Sequence, residues 1–553
     1  MPANEYTTAF TIKVGGQELK PEALEKIREW RVDDHLKLPD TFAITVFEPN
    51  PDRMSLIDDA GLFAVGAEVE IAASAVPVDS RPASPVTLIK GIVTSIEPEF
   101  TAEAGAIMTI RGYDRSHTLH QEKRATTFQN MTVGDIVNKV VGGTGLTPQV
   151  GSLPGGPLDF VQQNNESDWE FLGRIAQRVG ARVAVSGTTL EFKPVGDAKA
   201  GPQLEWGKNL LSFKPRVTGV QQAKEVVVRG WDATSKRTIE ATARPGALMA
   251  RIGEARDRVV SAANGGRFTI ADRPVRSADE AQALADSAMG KIANSFLEAE
   301  GVCLGDPAVK AGGQVEVKGV GRRFGGTYTL SATRHVYRAN GYRTHFTISG
   351  EADRSLVDLL TPARTKRWGN SVVLGLVTNN QDPAGLGRVR VKYPALGDTE
   401  GYWARVCTIG AGPKKGVLMT PQVDDEVVIA FEHDDINHPY VLGTVWNGQD
   451  KPEDLVQEDG SFALKSEKKM LVTVKEEIAF TGDKELTFTV GESKVVCKKD
   501  GTIEITGKTL KLTGQQSVTI EASQGSLTLK GTQGVSVSST GQVSVSGAQV
   551  SLG

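Results

Sequence analysis

The C-terminal stretch of the chain sets the tightest limit on what it can fold into. Apolar residues recur there as pairs two apart: Ile503/Ile505, Leu510/Leu512, Val518/Ile520, Leu527/Leu529, Val535/Val537, Val543/Val545 and Val550/Leu552. The pair starts advance by 7, 8, 9, 8, 8 and 7 residues, an approximate octad. Gly, Ser, Thr and Gln fill nearly all the space between, and from Ser517 onward only Glu521 and Lys530 carry charge. A spacing of two puts both members of a pair on one strand face. A short fixed period means stacked units that cannot bury that face alone.

One chain is too short to close such a stack. A single-chain triangular solenoid takes three octads, about 24 residues, per turn, so seven octads fall short of the roughly three repeats needed. Three chains winding together remove the shortage and satisfy every strand edge. A disordered tail has no reason to keep paired β-branched and leucine residues in register. The expectation is an intertwined triple-stranded β-helix needle with those fourteen residues on the trimer axis.

The rest of the 553 residues suggests about three or four domains. Period-two alternation dominates, as in FTIKV (10–14), FAITVF (42–47), VEIAA (69–73), QVEVKGV (314–320), RVRVKY (388–393) and EVVIAF (426–431). Three stretches read as helices: 131–141, 167–180 and 277–296. Thr132/Asp135, Ser167/Glu170 and Ser277/Glu280 have capping spacing, and Gly180 stands at a helix exit. Phe171, Leu172, Ile175 and Val179 share one face of the second helix. Leu284, Ala288 and Ile292 share one face of the third. The fold class is mainly β: a hub of β-barrel domains with an inserted α/β segment, an OB-fold neck and the needle. Expected divisions are 1–112 and 206–361 for the hub barrels, 113–205 for the insert, 366–450 for the OB fold, 451–470 for a linker and 471–553 for the needle.

Net charge is −4 with both signs mixed, so no basic stripe announces nucleic acid. Tyr393, Phe431, Tyr440 and Trp446 could stack bases on an OB barrel. Yet residues 366–450 hold eight Lys/Arg against ten Asp/Glu, which makes no electrostatic funnel. No apolar run reaches the ~18–20 residues of a membrane span, and MPANEYTTAF has no secretory pattern. Cys303, Cys407 and Cys497 lie far apart, as expected of buried thiols in a reducing compartment. His433, Asp434, Asp435 and His438 are the densest ligand-like cluster. They read better as a polar loop between strands than as a metal site. His117 and His120 lack a third ligand at useful spacing. Gly142, Gly143 and Gly145 follow a helix rather than a strand, against a phosphate loop. No cofactor, metal or catalytic residue is expected.

The segment 372–447 is about five short strands with turn chemistry between them, which suits a small OB barrel. It resembles the OB domain of the VgrG family and related spike proteins of contractile phage tails. The matching residues are Gly375, Val377, Asp382-Pro383, Gly387-Arg388-Val389-Arg390-Val391, Pro394 and Trp403-Ala404-Arg405-Val406. Ala411-Gly412, Gly416, Pro421, Asp425-Glu426-Val427, Phe431-Glu432-His433, Asp435, Pro439 and Gly443 continue the match. Residues 113–137, 162–183 and 312–351 resemble the hub half of the same family, and the last also resembles phage tail hubs.

The resemblance implies a homotrimer docked on an inner tube protein, among baseplate proteins, with a needle that a contracting sheath drives into a target envelope. A PAAR-like tip protein commonly caps such needles, and effector cargo is possible. Some needles end in an iron-binding His-x-His; this chain has no histidine after His438, which favours a separate cap. Some relatives carry an enzyme between neck and needle or after it. The gap near 448–470 is too short for one and the repeat runs to Gly553, so a non-enzymatic spike is expected. The opening residues favour a phage-tail-like particle, cytoplasmic or released, over a type VI secretion VgrG carrying effectors. A cell-wall hydrolase hub is the competitor from another class.

Overall fold

The structure is a computed structural model. It describes residues 6–551 apart from 37, 49–62, 78–83, 102–104, 154, 195–200, 234, 247, 276, 350–371, 397–398, 453–454 and 456–460. Residues 362–365, between the expected second hub barrel and the expected OB fold, and Leu552 lie outside the described residues. Two compact units divide the chain, Met1–Pro452 and Glu453–Gly553.

In the first unit an eleven-stranded sheet runs through both expected hub barrels. The strands Tyr6–Val14, Thr41–Glu48 and Glu68–Pro77 coincide with alternating stretches of the sequence. So do Gln314–Lys318, Arg390–Lys392 and Glu426–Phe431 in the other sheets. The two halves join where Ala332–Arg338 pairs antiparallel with Ile27–His35, from Ala332↔His35 to Tyr337↔Trp30. A ladder between residues some three hundred apart carries no local signature, because pairing depends on which edges meet rather than on either strand alone. Trp30 is fully buried at this joint, 5.2 Å from the Tyr342 ring and stacked 5.9 Å from Tyr337.

The insert has its own core around Phe128, Val137, Phe171, Leu172, Ile175 and Phe192. Both of its expected capping boxes are complete: Thr132 with Asp135 at Val133–Val141, and Ser167 with Glu170 at Asp168–Arg178. Gly180 takes the left-handed φ of +66° at the helix exit. The third box is only half made. Ser277 Oγ accepts from the Glu280 amide, but the Glu280 carboxylate pairs with Arg178 and so ties two helices together. The buried face of Ala278–Asn294 is Ala281, Ala285, Met289 and Ala293, with Leu284, Ala288 and Ile292 at its margin. Small residues on that line let the helix lie close on the sheet built from Glu225–Asp232 and Arg237–Ala243. A fourth helix, Arg256–Ala262, gave no sequence signal. Its N-cap is Ala255, without a side-chain cap, and buried Arg256 anchors it to Gln222 and the Ala223 carbonyl. Cys303 is buried as expected, whereas Cys407 is exposed and Cys497 half-buried.

Residues 373–444 form a five-stranded sheet in the order 390–392, 373–379, 426–431, 439–444, 405–406. Bridges Val389↔Ala404 and Lys392↔Glu400 tie the free edge of the first strand to the segment leading into the last, as an OB barrel requires. Val377, Val391, Val427, Ile429 and Val441 fill the interior. Tyr393 and Phe431 belong to that core with rings 5.8 Å apart, so two of the four candidate stacking aromatics face inward.

Candidate functional site

The neck is held by one turn. Asp382 opens the loop after Val373–Asn379 and accepts from the amides of Ala384, Leu386 and Arg388, at 3.0, 2.9 and 3.3 Å. The Arg388 guanidinium clamps the same carboxylate at 2.7 and 3.0 Å. Hydrogen bonds from Arg388 hold the Asp382 carboxyl well below the usual carboxylate range, against a smaller opposing effect of burial. The Asp-Pro and the Gly-Arg of the sequence match therefore have a shared role: they close the first OB hairpin.

The His433–His438 cluster is a second such turn. His433 and Asp434 adopt positive φ of 48° and 62°. Asp435 accepts from the Asn437 amide at 2.9 Å and from its side chain at 2.7 Å, with His438 Nδ1 at 3.5 Å. Burial works to raise the Asp435 pKa, but His438 and Asn437 outweigh it and keep the carboxyl ionised. Asn437 also accepts from the buried Gln162 amide and so fixes the neck on the insert. Among the described residues no group of three or more His, Cys, Asp or Glu side chains is arranged to hold a metal. Gly142, Gly143 and Gly145 form the exit loop of Val133–Val141, as their position after a helix predicts. His117 stacks on Tyr113 and His120 on Trp169.

The second unit is where the octad lies, and its backbone shows the period directly. Bends or turns fall at 467–468, 475–476, 483–484, 491–492, 499–501, 508, 515–516, 523–525, 532–533, 540–541 and 548. Glycine permits the sharpest of them. A Cβ on Gly514 would stand 2.2 Å from the Ser517 carbonyl oxygen, and one on Gly531 2.2 Å from that of Gly534. Ile503 and Ile505 sit on the strand Ile503–Thr506 of an antiparallel meander with Glu485–Val490 and Ser493–Lys498. The register stacks Leu486, Cys497 and Ile503 in one row and Phe488, Val495 and Ile505 in the next. From Lys508 to Ser551 bends alternate with stretches that have no regular secondary structure, and there is no strand ladder among the described residues.

Of the fourteen residues expected on an axis, the thirteen described are 50–75% exposed in the single chain: Ile503, Ile505, Leu510, Leu512, Val518, Ile520, Leu527, Leu529, Val535, Val537, Val543, Val545 and Val550. The structure brings Ile503 and Ile505 into a shared sheet face and leaves the other eleven in an open row. Sequence reasoning missed that the row starts earlier. Phe462/Leu464, Met470/Val472, Ile478/Phe480, Leu486/Phe488 and Val495/Cys497 keep the same near-octad step, and the first bend lies at 467–468. The signal was present but diluted, because lysines and carboxylates crowd these octads.

Several known proteins resemble this chain. The profile of the Alg8 N-terminal domain family matches residues 4–338. That of the type VI secretion system/phage-baseplate injector OB domain matches residues 373–446. A probable baseplate hub protein of Escherichia phage 186 is 35% identical over 130 residues, 22% of this chain and 33% of that protein. The match thus spans about a third of the relative's length. Among solved structures, the half-lidded Francisella PdpA-VgrG complex aligns over 90% of this chain and 88% of its own, with TM-score 0.50 and 9% identity. A type VI secretion component of E. coli, described as similar to T4 bacteriophage tail proteins, aligns over 78% of this chain and 99% of its own, with TM-score 0.47 and 15% identity. With more than half its length inside one profile, the chain belongs to the Alg8 N-terminal domain family, and its fold is VgrG-like, with an OB domain of the type VI secretion system/phage-baseplate injector kind.

Proposed function

We propose that the protein is the homotrimeric central spike of a contractile injection particle, and that it acts mechanically rather than as an enzyme. The observation that carries this is the open row of paired Ile, Leu and Val from residue 503 to 550, each at least half exposed in one chain. So much contiguous apolar surface is costly in water. Its near-octad period suits two further copies of itself better than any irregular partner. Three copies would bring the pairs onto a common axis and satisfy the extended backbone between the bends by inter-chain hydrogen bonds. The axis would then be formed by Ile503, Ile505, Leu510, Leu512, Val518, Ile520, Leu527, Leu529, Val535, Val537, Val543, Val545, Val550 and Leu552. The hub sheet docks on an inner tube protein among baseplate proteins, the OB barrels form the neck, and a PAAR-like protein caps the needle. Residues 1–112 and 206–361 serve as hub, 113–205 as insert, 366–450 as neck, 451–470 as linker and 471–553 as needle.

Native mass spectrometry of the purified chain tests this reading. The expected species is a trimer with a resistant C-terminal core under limited proteolysis. A monomer whose last hundred or so residues resist protease would overturn it. The 90% alignment with a VgrG complex favours a second reading, a type VI spike that carries effectors. Co-purified effector proteins, in place of a tube and sheath, would select that alternative.

A further inference from the structure

The first half of the hub is fastened to the second by more than the ladder at Trp30. The segment 305–313 leaves the strand Leu297–Leu304 and enters Gln314–Lys318, both of the second half. On the way it is tied to the first half like a strap. Its Ala311 amide donates to Asp34 Oδ2 at 2.9 Å, and Lys310 Nζ donates to the Thr87 carbonyl at 3.2 Å. Gly312 has a φ of +76°, and a Cβ there would stand 3.0 Å from Leu36 Cδ2. Under the strap, neighbouring strands of the first half bring three carboxyl groups to one end of the sheet. Asp34 lies on the face of Ile27–His35 that carries Trp30 and Val32. Asp40 immediately precedes Thr41–Glu48, and Asp114 ends Gly105–Asp114.

Asp34 and Asp40 are hydrogen-bonded carboxyl to carboxyl. Ionised carboxylates only accept, so this bond holds one proton between two residues. The surrounding donors make Asp34 the acceptor. Beside the Ala311 amide, Thr333 Oγ1 stands 3.4 Å from Asp34 Oδ2, and Lys310 and His35 face it. Asp40 accepts only the His35 amide, at 3.0 Å, and the Asp114 carboxyl faces it. Asp114 is in turn bonded by the Ser116 amide and hydroxyl at 3.2 and 2.5 Å. From the second half, His335 reaches the pair through Thr333, its Nε2 3.5 Å from Oγ1, while its Nδ1 meets the Tyr342 hydroxyl at 2.6 Å. Burial holds that imidazole down to about 3, so it stays neutral and does not titrate with the pair. Asp33 turns away to Arg31 and Arg334, and Arg182 borders the strap at Gly312.

We infer that the strap 305–313 is a pH-sensitive latch between the two halves of the hub, closed by the proton that Asp34 and Asp40 share and loosened when rising pH removes it. Two carboxylates would then face each other, and the repulsion falls on the acceptor that holds the Ala311 amide. The direction agrees with the titration. Burial raises both carboxyls, and Asp40 reaches about 9 with the Asp34 and Asp114 charges adding to the effect. A carboxyl raised in the folded state contributes fully below about pH 4, and its contribution is lost as the pH rises to about 9. The latch belongs to the hub fold and does not depend on the spike reading.

Hydrogen exchange of the full-length protein tests it. The protection of a peptide covering 305–313 is divided by that of the insert helix Val133–Val141 in the same sample, which cancels the intrinsic effect of pH on exchange. Between about pH 6 and about pH 9 the native ratio should fall by about tenfold or more, the effect of one proton over one pH unit. Asp40→Asn keeps a side-chain donor toward Asp34 but has no proton to lose, so its ratio should stay at the acid value throughout. A native ratio that does not change with pH overturns the latch. So does a folded Asp40→Asn variant whose ratio falls as steeply as the native one.

Discussion

Trp30 and Val545 mark the two extremes of the molecule. Trp30 is fully buried among Phe10, Tyr337 and Tyr342, on a ladder that joins the two ends of the hub within one chain. Val545 is 75% exposed and belongs to a row in which every described residue from Ile503 to Val550 is at least half exposed. The hub pays for its chain entropy with contacts that it makes to itself. The second unit orders many residues and buries almost no apolar side chain, Val496 at 4% exposure being an exception. In the proposed trimer a segment with that balance would gain its stability on assembly, so that its folding and its oligomerisation would be one event.

Substitutions can test this division. The largest effect is expected at Val535→Asp. In a trimer three carboxylates would converge on a dry axis, each at a cost of several kcal/mol. The expected outcome is loss of the trimer by light scattering with the hub still folded by near-ultraviolet circular dichroism. An undisturbed trimer would show that Val535 is off the axis. Trp30→Ala should do the opposite. The hub should lose about 4 kcal/mol from the cavity left between its halves, read as an earlier denaturation transition, while the needle remains protease-resistant.

Asp382→Ala should sharpen the comparison at the neck. It strands Arg388, which is 17% exposed, and frees three amides; the expected loss is about 3 kcal/mol in OB-domain stability. The pH dependence follows from the direction of the shift. The Asp382 carboxyl is held below its ordinary value in the folded state, so its contribution is complete above about pH 4 and disappears as the pH falls further. Thermal melts from pH 6 to pH 2 should therefore show an acid-sensitive transition that the variant has lost. Ser167→Ala, which removes one cap from Asp168–Arg178, should cost about 1 kcal/mol by chemical denaturation and leave assembly unchanged.

The neck and the helix caps were legible because their determinants are local. Asp382 and Arg388, Thr132 and Asp135, Ser167 and Glu170 lie within a few residues of each other and meet in any chain that turns there. Where a long-range partner competes, the local pattern misleads: Glu280 has the capping position, yet its carboxylate goes to Arg178. The helical face around Leu284 was displaced for a related reason. The sheet opposite admits alanines at close range, and hydrophobicity alone ranks leucine higher. The upstream octads were hidden because their pairs stand among lysines and carboxylates.

By itself the amino-acid sequence determined the repeat, its step of about eight residues and its apolar pairs, because a period is a property of one strand's alternating faces. It also determined the OB turns, for which residue type and short spacing suffice. Only the tertiary structure decided that one sheet runs through both halves of the hub and that a meander lies within the repeat at 485–506. Both depend on which strand edges meet, and a strand's sequence specifies its faces far more strongly than its neighbour.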